Sequence, residues 1–124
     1  MPTDAAVEQI TAYRTMARCR QEERAKRLGL RHERALKVAH QAAMVLKQQF
    51  GAKRVLMFGS VVSRDRFHGH SDIDLAVWGL AEELHYRAVG VILGIDPEFL
   101  LDLVRAESAP SGLLAAIDRD GIIL

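Results

Sequence analysis

From Thr3 to Phe50 the chain contains no proline and a single glycine, Gly29, and it reads as helix throughout. Thr3, followed by Asp4 and Glu8, has the character of a helix start, with acidic side chains near the positive end of the helix dipole. Val7, Ile10, Tyr13 and Ala17 form a short apolar stripe, after which the stretch CRQEERAKR (Cys19 to Arg27) carries almost none. A helix that loses its apolar face cannot pack on its own core over its whole length. The second half of this first helix is therefore predicted to be solvated or docked on a partner. Gly29 is read as a break, and a second helix is predicted from about His32. Leu36, Ala39, Ala43, Leu46 and Phe50 recur along it at steps of three and four, and Gly51 stands as its stop, so this helix belongs to the core.

After Gly51 the period changes. Lys53 to Phe58 (KRVLMF) predicts a short strand ended by Gly59 and Ser60, and Val61 to Ser71 predicts a loop with one helical turn. Asp72 to Trp78 (DIDLAVW) predicts a second strand, with Ile73, Leu75 and Val77 on one face and Asp72, Asp74 and Ala76 on the other. Leu84, Ala88, Val91 and Ile95 mark a helix from near Ala81 to Gly94, and Phe99 to Val104 (FLLDLV) marks a third strand. Pro110 to Asp120 fits a short helix capped by Ser108 or Ser111 and stopped by Gly121, with a last short strand at the end of the chain. The predicted order is α-α-β-β-α-β-α-β, an α+β arrangement divided into a helical extension over residues 1–34 and a domain over residues 35–124.

At 124 residues the chain has the length of one domain, and 49% hydrophobic with 27% charged residues is ordinary globular composition, which excludes disorder and fibrous repeats. The longest uncharged apolar run, Ala88 to Ile95, is far below the roughly 18 to 20 residues that span a bilayer. The first residues lack the basic-then-apolar pattern of a signal peptide, and the lone Cys19 fits a reducing cytoplasm. The formal charge of +1 hides a division: 12 Lys/Arg against 5 Asp/Glu through Arg54, then 5 against 11 from Val55 onward. A basic arm thus joins an acidic body, and the arm is suited to something anionic, either nucleic acid, nucleotide or an acidic partner.

Three features carry candidate chemistry: Gly59-Ser60 after a strand, Asp72 and Asp74 on the next, and Asp102 inside FLLDLV. A carboxylate on an apolar strand is costly to bury unless it is paired, hydrogen-bonded or bound to metal. Asp72 and Asp74, two positions apart, leave the same face roughly 6 to 7 Å apart. Two negative charges at that spacing repel by about 2 to 3 kcal/mol at an effective dielectric of about 20. A divalent cation turns the repulsion into attraction, and all-oxygen ligation suits Mg²⁺, which recruits substrate phosphates to complete its shell. Asp102 adds a third carboxylate, placed to ligate a second ion or to take a proton from an attacking hydroxyl. Gly59 lets a phosphate approach the backbone, and Ser60 adds a hydroxyl donor.

FGS at Phe58 to Ser60, DIDL at Asp72 to Leu75 and LDL at Leu101 to Leu103 resemble, in order and context, the three motif elements of the DNA polymerase β-like nucleotidyltransferase superfamily. Without a second domain, the chain is most similar to the minimal nucleotidyltransferases of the MNT group, the antitoxin partners of HEPN toxins. The resemblance covers roughly residues 36–124. It implies a polymerase β palm-like fold with a mixed β-sheet and flanking helices, and transfer of a nucleoside monophosphate from an NTP to a hydroxyl. It also implies two Mg²⁺ ions at Asp72, Asp74 and Asp102, a triphosphate held by Gly59 and Ser60, ATP as substrate and a HEPN toxin as acceptor. Family members often carry Arg three residues after the Ser. Here that position is Ser63 and the arginine is Arg64, one place later, which weakens the case for Arg64 as a phosphate ligand.

Other residues point to chemistry less strongly. His68 and His70 have no nearby Cys or third His to complete a zinc site and read as loop residues near substrate. His32, His40 and His85 fall on predicted helices as surface or boundary residues, and Trp78 reads as a core or boundary aromatic. The leading expectation is a cytoplasmic protein adenylyltransferase acting on a partner. The alternatives are an antitoxin of the same fold acting by contact alone, and a nucleotidyltransferase acting on RNA ends or a small molecule. Nucleic acid is a less favoured partner, no membrane is expected, and self-association is left open.

Overall fold

The computed structural model describes residues 3–124. A single helix, α1 (Asp4–Phe50), is followed by β1 (Arg54–Phe58), β2 (Ile73–Trp78), α2 (His85–Leu93), β3 (Leu101–Arg105), α3 (Ser111–Asp120) and β4 (Ile122–Ile123). Short 3₁₀ turns cover Gly59–Val62, Glu82–Leu84 and Ala106–Ser108. The class is α+β, with strand order β3-β2-β1-β4. β1 runs antiparallel to β2 and β4, and β2 runs parallel to β3, so the sheet is mixed.

The break expected at Gly29 is absent, and α1 runs unbroken for 47 residues, about 70 Å. The Thr3 side chain caps its start by accepting from the Ala6 N–H at 3.2 Å, and Gly51, at φ 74°, ends it in the left-handed region. One glycine inside a helix costs only about 1 kcal/mol relative to alanine. A Cβ at Gly29 would meet only the end of the exposed Arg64 side chain, which can swing aside.

The two halves of α1 live in different solvents. Before Gly29 no described side chain is buried, and Val7, Ile10, Tyr13 and Met16 stay about half exposed or more. From Gly29 onward Ala35, Val38, Ala39, Ala42, Ala43 and Leu46 are buried against the sheet. The packed half supplies the costly helix nucleus, and the free half propagates from it. Leu36 and Phe50 lie at the margin of the core, and small alanines take its centre, letting the helix approach the strands closely.

Strand alternation divides the molecule into two unequal layers. Val55 and Met57 of β1, Ile73, Leu75 and Val77 of β2, and Leu101 and Leu103 of β3 join α1 and α2 in the main core. Leu56 and Ala76 face the opposite side, where they meet Ile117 and Leu113 of α3 in a much smaller cluster with Phe58 and Trp78. α3 is capped by Pro110 rather than by a serine side chain, so neither Ser108 nor Ser111 has the expected role.

Arg34 ties α1 to the loop before β3, with Nη2 and Nη1 each 2.9 Å from Asp96 and Glu98, and Arg31 lies 4.4 Å over the ring of Phe99. Among the described residues no helix is long and apolar enough to cross a membrane.

Because nothing before Gly29 is buried, removing residues 1–24 is expected to change the free energy of unfolding by less than about 1 kcal/mol, read from urea denaturation. By contrast Ile117→Ala, at a fully buried position, should cost about 2 to 5 kcal/mol.

Candidate active site

Asp74 lies on the thinly covered face of the sheet because its neighbours Ile73 and Leu75 occupy the main core. The parallel register of β2 and β3 sets Asp74 directly beside Asp102, and the antiparallel register of β1 and β2 sets it opposite Phe58, the residue before Gly59. Asp72 precedes β2 at the same end of the sheet and is exposed, as is Asp102. Asp74 is half-buried. Burial first, then the charge of Asp102, then that of Asp72, raise its carboxyl to a pKa of about 6. Among the described residues none of these three carboxylates forms an ion pair.

Gly59 adopts φ +78°, and a Cβ there would run into Oδ2 of Asp74. The turn therefore requires glycine twice, for its backbone angle and for its closeness to the carboxylate. Ser60 follows in the 3₁₀ turn and its hydroxyl donates to Ser71 Oγ at 3.0 Å, while the backbone N–H of His68 donates to the same oxygen at 2.8 Å. Ser71 is buried and closes the long loop back onto the glycine turn. The structure thus gathers Gly59, Ser60, Asp72, Asp74 and Asp102 at one end of the sheet. Arg64 leans away onto α1 at Gly29.

Two residues that support this end were not identified from sequence. Ser71 gave no signal beyond its place before Asp72. His32, expected at the surface or boundary of a helix, is buried: its ring packs on Phe67 with centroids 4.9 Å apart, and its Nε2–H donates to the carbonyl of Val61 at 2.7 Å. That hydrogen bond anchors the turn carrying Gly59 and Ser60 to α1. A histidine on the buried stripe of an otherwise alanine-rich helix was the available hint.

The cavities follow the same geography. One of about 280 Å³ lies beside Asp72, bounded by Ser71, His70, Glu98 and Arg31. A larger one, of about 330 Å³, opens between α2 and the end of β3 at His85, Tyr86 and Arg105 and touches none of the three carboxylates. Only the former reaches a residue of the carboxylate set, through Asp72, and neither touches Gly59 or Ser60.

A glycine turn closed against paired carboxylates on adjacent strands of a mixed sheet is the arrangement expected of a nucleotidyltransferase. The family described as Polymerase beta, Nucleotidyltransferase matches residues 40–124, and the chain belongs to it. No curated protein matches the chain. Among solved structures, a toxin–antitoxin with AMP-PNP is 22% identical, with TM-score 0.56 over 67% of this chain and 69% of that one. Two MntA–HpeT toxin–antitoxin mutants are 19% and 21% identical, with TM-scores of 0.58 and 0.54 over 68% of this chain and 70% and 69% of theirs. At these identities the likeness is one of fold.

Two outcomes test the site. Asp74 holds its proton more tightly in the fold than an unfolded aspartate does, so the native state binds the extra proton between the usual carboxylate range and about pH 6. In EDTA, wild-type stability should therefore fall as pH rises through that window, and Asp74→Asn should remove this slope in thermal melts. For His32, Gln can offer a donor near the position of Nε2 and Phe cannot. His32→Phe should weaken ATP binding in calorimetry about tenfold by releasing the turn, while His32→Gln retains most of it.

Proposed function

We propose that this nucleotidyltransferase moves AMP from ATP to a hydroxyl of a partner protein, using divalent metal held at Asp72, Asp74 and Asp102. The observation that carries this reading is the side-by-side placement of Asp74 and Asp102 next to the Gly59 turn. The carboxylates fit a hard cation: their donors are all oxygen, no protein cation neutralises them among the described residues, and burial together with the charges of Asp102 and Asp72 keeps Asp74 easy to protonate. Among the described residues no three His, Cys, Asp or Glu side chains form a ready metal cage. The reading therefore rests on the adjacent pair Asp74 and Asp102, since Mg²⁺ can bind through one or two carboxylates and complete its shell with waters and substrate phosphates. When bound, it supplies charge neutralisation for the triphosphate and the leaving group.

The chain's own residues do the rest. The Gly59 turn admits the triphosphate to the backbone, and a rotation of the Ser60 hydroxyl away from Ser71 offers it a donor. Asp102, exposed beside Asp74, is placed to accept the proton of the acceptor hydroxyl. The acceptor oxygen bonds to the α-phosphorus, the bond from that phosphorus to the pyrophosphate oxygen breaks, and pyrophosphate leaves.

The choice of ATP is supported by the neighbouring fold described with AMP-PNP. The choice of a partner protein is supported by the neighbours being toxin–antitoxin complexes, which also agrees with the HEPN toxin implied by the MNT resemblance.

The test is label transfer from α-labelled ATP, with Mg²⁺, to the protein that co-purifies with this chain. Wild type should label the partner, and Asp74→Asn or EDTA should lower the rate by at least about a thousandfold. Equal labelling by wild type and Asp74→Asn would overturn the reading, and neutralisation of the partner without any labelling would replace it with an antitoxin acting by contact.

A further inference from the structure

The cavity beside Asp72 does not end at the sheet. A second depression, of about 230 Å³, lies between the stretch of α1 where the free half meets the packed half and the loop at Gly69, and the two share Arg31 and Gly69 as common walls. Together they form a groove from Arg24 on the free arm to Asp72. Its charge is graded. Arg24, Arg27 and Arg31 line the arm end, and Glu98 and Asp72 line the sheet end.

The arginines have capacity to spare. Among the described residues Arg24 and Arg27 enter no salt bridge. Arg31 donates from Nη2 to the Glu98 carbonyl at 3.2 Å, but its Nη1 is 4.0 Å from the Glu98 carboxylate and its buried Nε has no partner. The floor between them is largely carbon, from Leu28 and the arginine stems, and Leu100 at the sheet end is 66% exposed.

We propose that this groove holds the polypeptide segment that presents the acceptor hydroxyl, and that it selects a hydroxyl residue flanked by acidic side chains. The inference rests on the reaction proposed above. Guanidinium groups with free donors recognise carboxylates, and the apolar floor takes the intervening side chains. A chain that is anionic throughout meets repulsion at Asp72 and Glu98, whereas a hydroxyl residue there with carboxylates farther along fits both ends. Arg24 and Arg31 stand seven residues apart on α1, about 10 Å. That is the reach of about three residues of extended peptide, which sets the acidic positions within about three to six residues of the hydroxyl. A nucleic acid strand is less well served, because no Phe, Tyr or Trp lines the groove and the imidazole of His70 is the one ring it offers to successive bases.

The test is direct binding by the full chain without ATP, measured by fluorescence anisotropy from low salt to about 0.3 M. The probes are a peptide with a central Tyr flanked on both sides by Glu, its counterpart with Gln in place of Glu, and a single-stranded oligoribonucleotide of similar length. The Glu peptide should bind at least about tenfold more tightly than the Gln peptide, with the advantage shrinking as salt rises. R24E/R27E should abolish that advantage while leaving ATP affinity in calorimetry unchanged. Equal binding of the two peptides, an undiminished advantage in the double variant, or a loss of ATP affinity in it would overturn the proposal. Tighter binding of the oligoribonucleotide, lost in R24E/R27E, would overturn it in favour of a nucleic-acid groove. Since peptide binding is read without catalysis, failure of AMP transfer with intact peptide selection would count against the reaction alone.

Discussion

Everything at the functional end of the molecule depends on keeping like charges side by side. Asp74 and Asp102 are neighbours in a parallel register, and neither can retreat, because the residues on either side of each are locked into the main core. The fold holds them there by apolar burial on the other face: Ile73, Leu75, Leu101 and Leu103 fix the backbone, and the carboxylates are carried with it. The cost is visible in the raised pKa of Asp74.

The same economy shapes the sheet's second face. α3 covers only the part around Leu56 and Ala76, and it leaves Asp102 exposed and Asp74 half-buried. Gly59 fills the gap between these requirements. Its left-handed backbone and missing Cβ let the chain turn directly against Asp74, so the glycine turn and the carboxylates form one continuous surface. α1 braces this surface from behind through His32, and it also extends basic side chains past the sheet's edge.

Much of this was legible in the sequence, for identifiable reasons. The strands are short and their alternation is clean, so the faces of β2 could be assigned from DIDLAVW alone, and with them the shared face of Asp72 and Asp74. Gly59 stood out because a glycine at the end of an apolar strand has few other uses. What failed to show were contacts between distant segments. Gly29 looked like a helix break because glycine is locally unfavourable, but that cost is small beside the packing of the helix's second half on the sheet. His32 looked peripheral because a polar residue on a helix is ordinarily solvated, and only the loop 29 residues away supplies its partner. The groove was equally hidden, since its walls come from α1, the Gly69 loop and the segment before β3.

The continuity of α1 also makes it a phased object. In a helix each residue advances the chain by 1.5 Å and turns it by about 100°. Arg24 and Arg27 face the Gly69 loop because they lie at a fixed count from Gly29 and His32, with no hinge between to absorb an error. Inserting one residue at Leu28 would swing the whole arm by more than a quarter turn and carry its guanidinium groups off the groove. Inserting seven, close to two full turns, would restore their bearing. The length of this arm is therefore quantised, free to change across related chains in steps of whole turns and constrained against the single-residue drift that a flexible tail would tolerate.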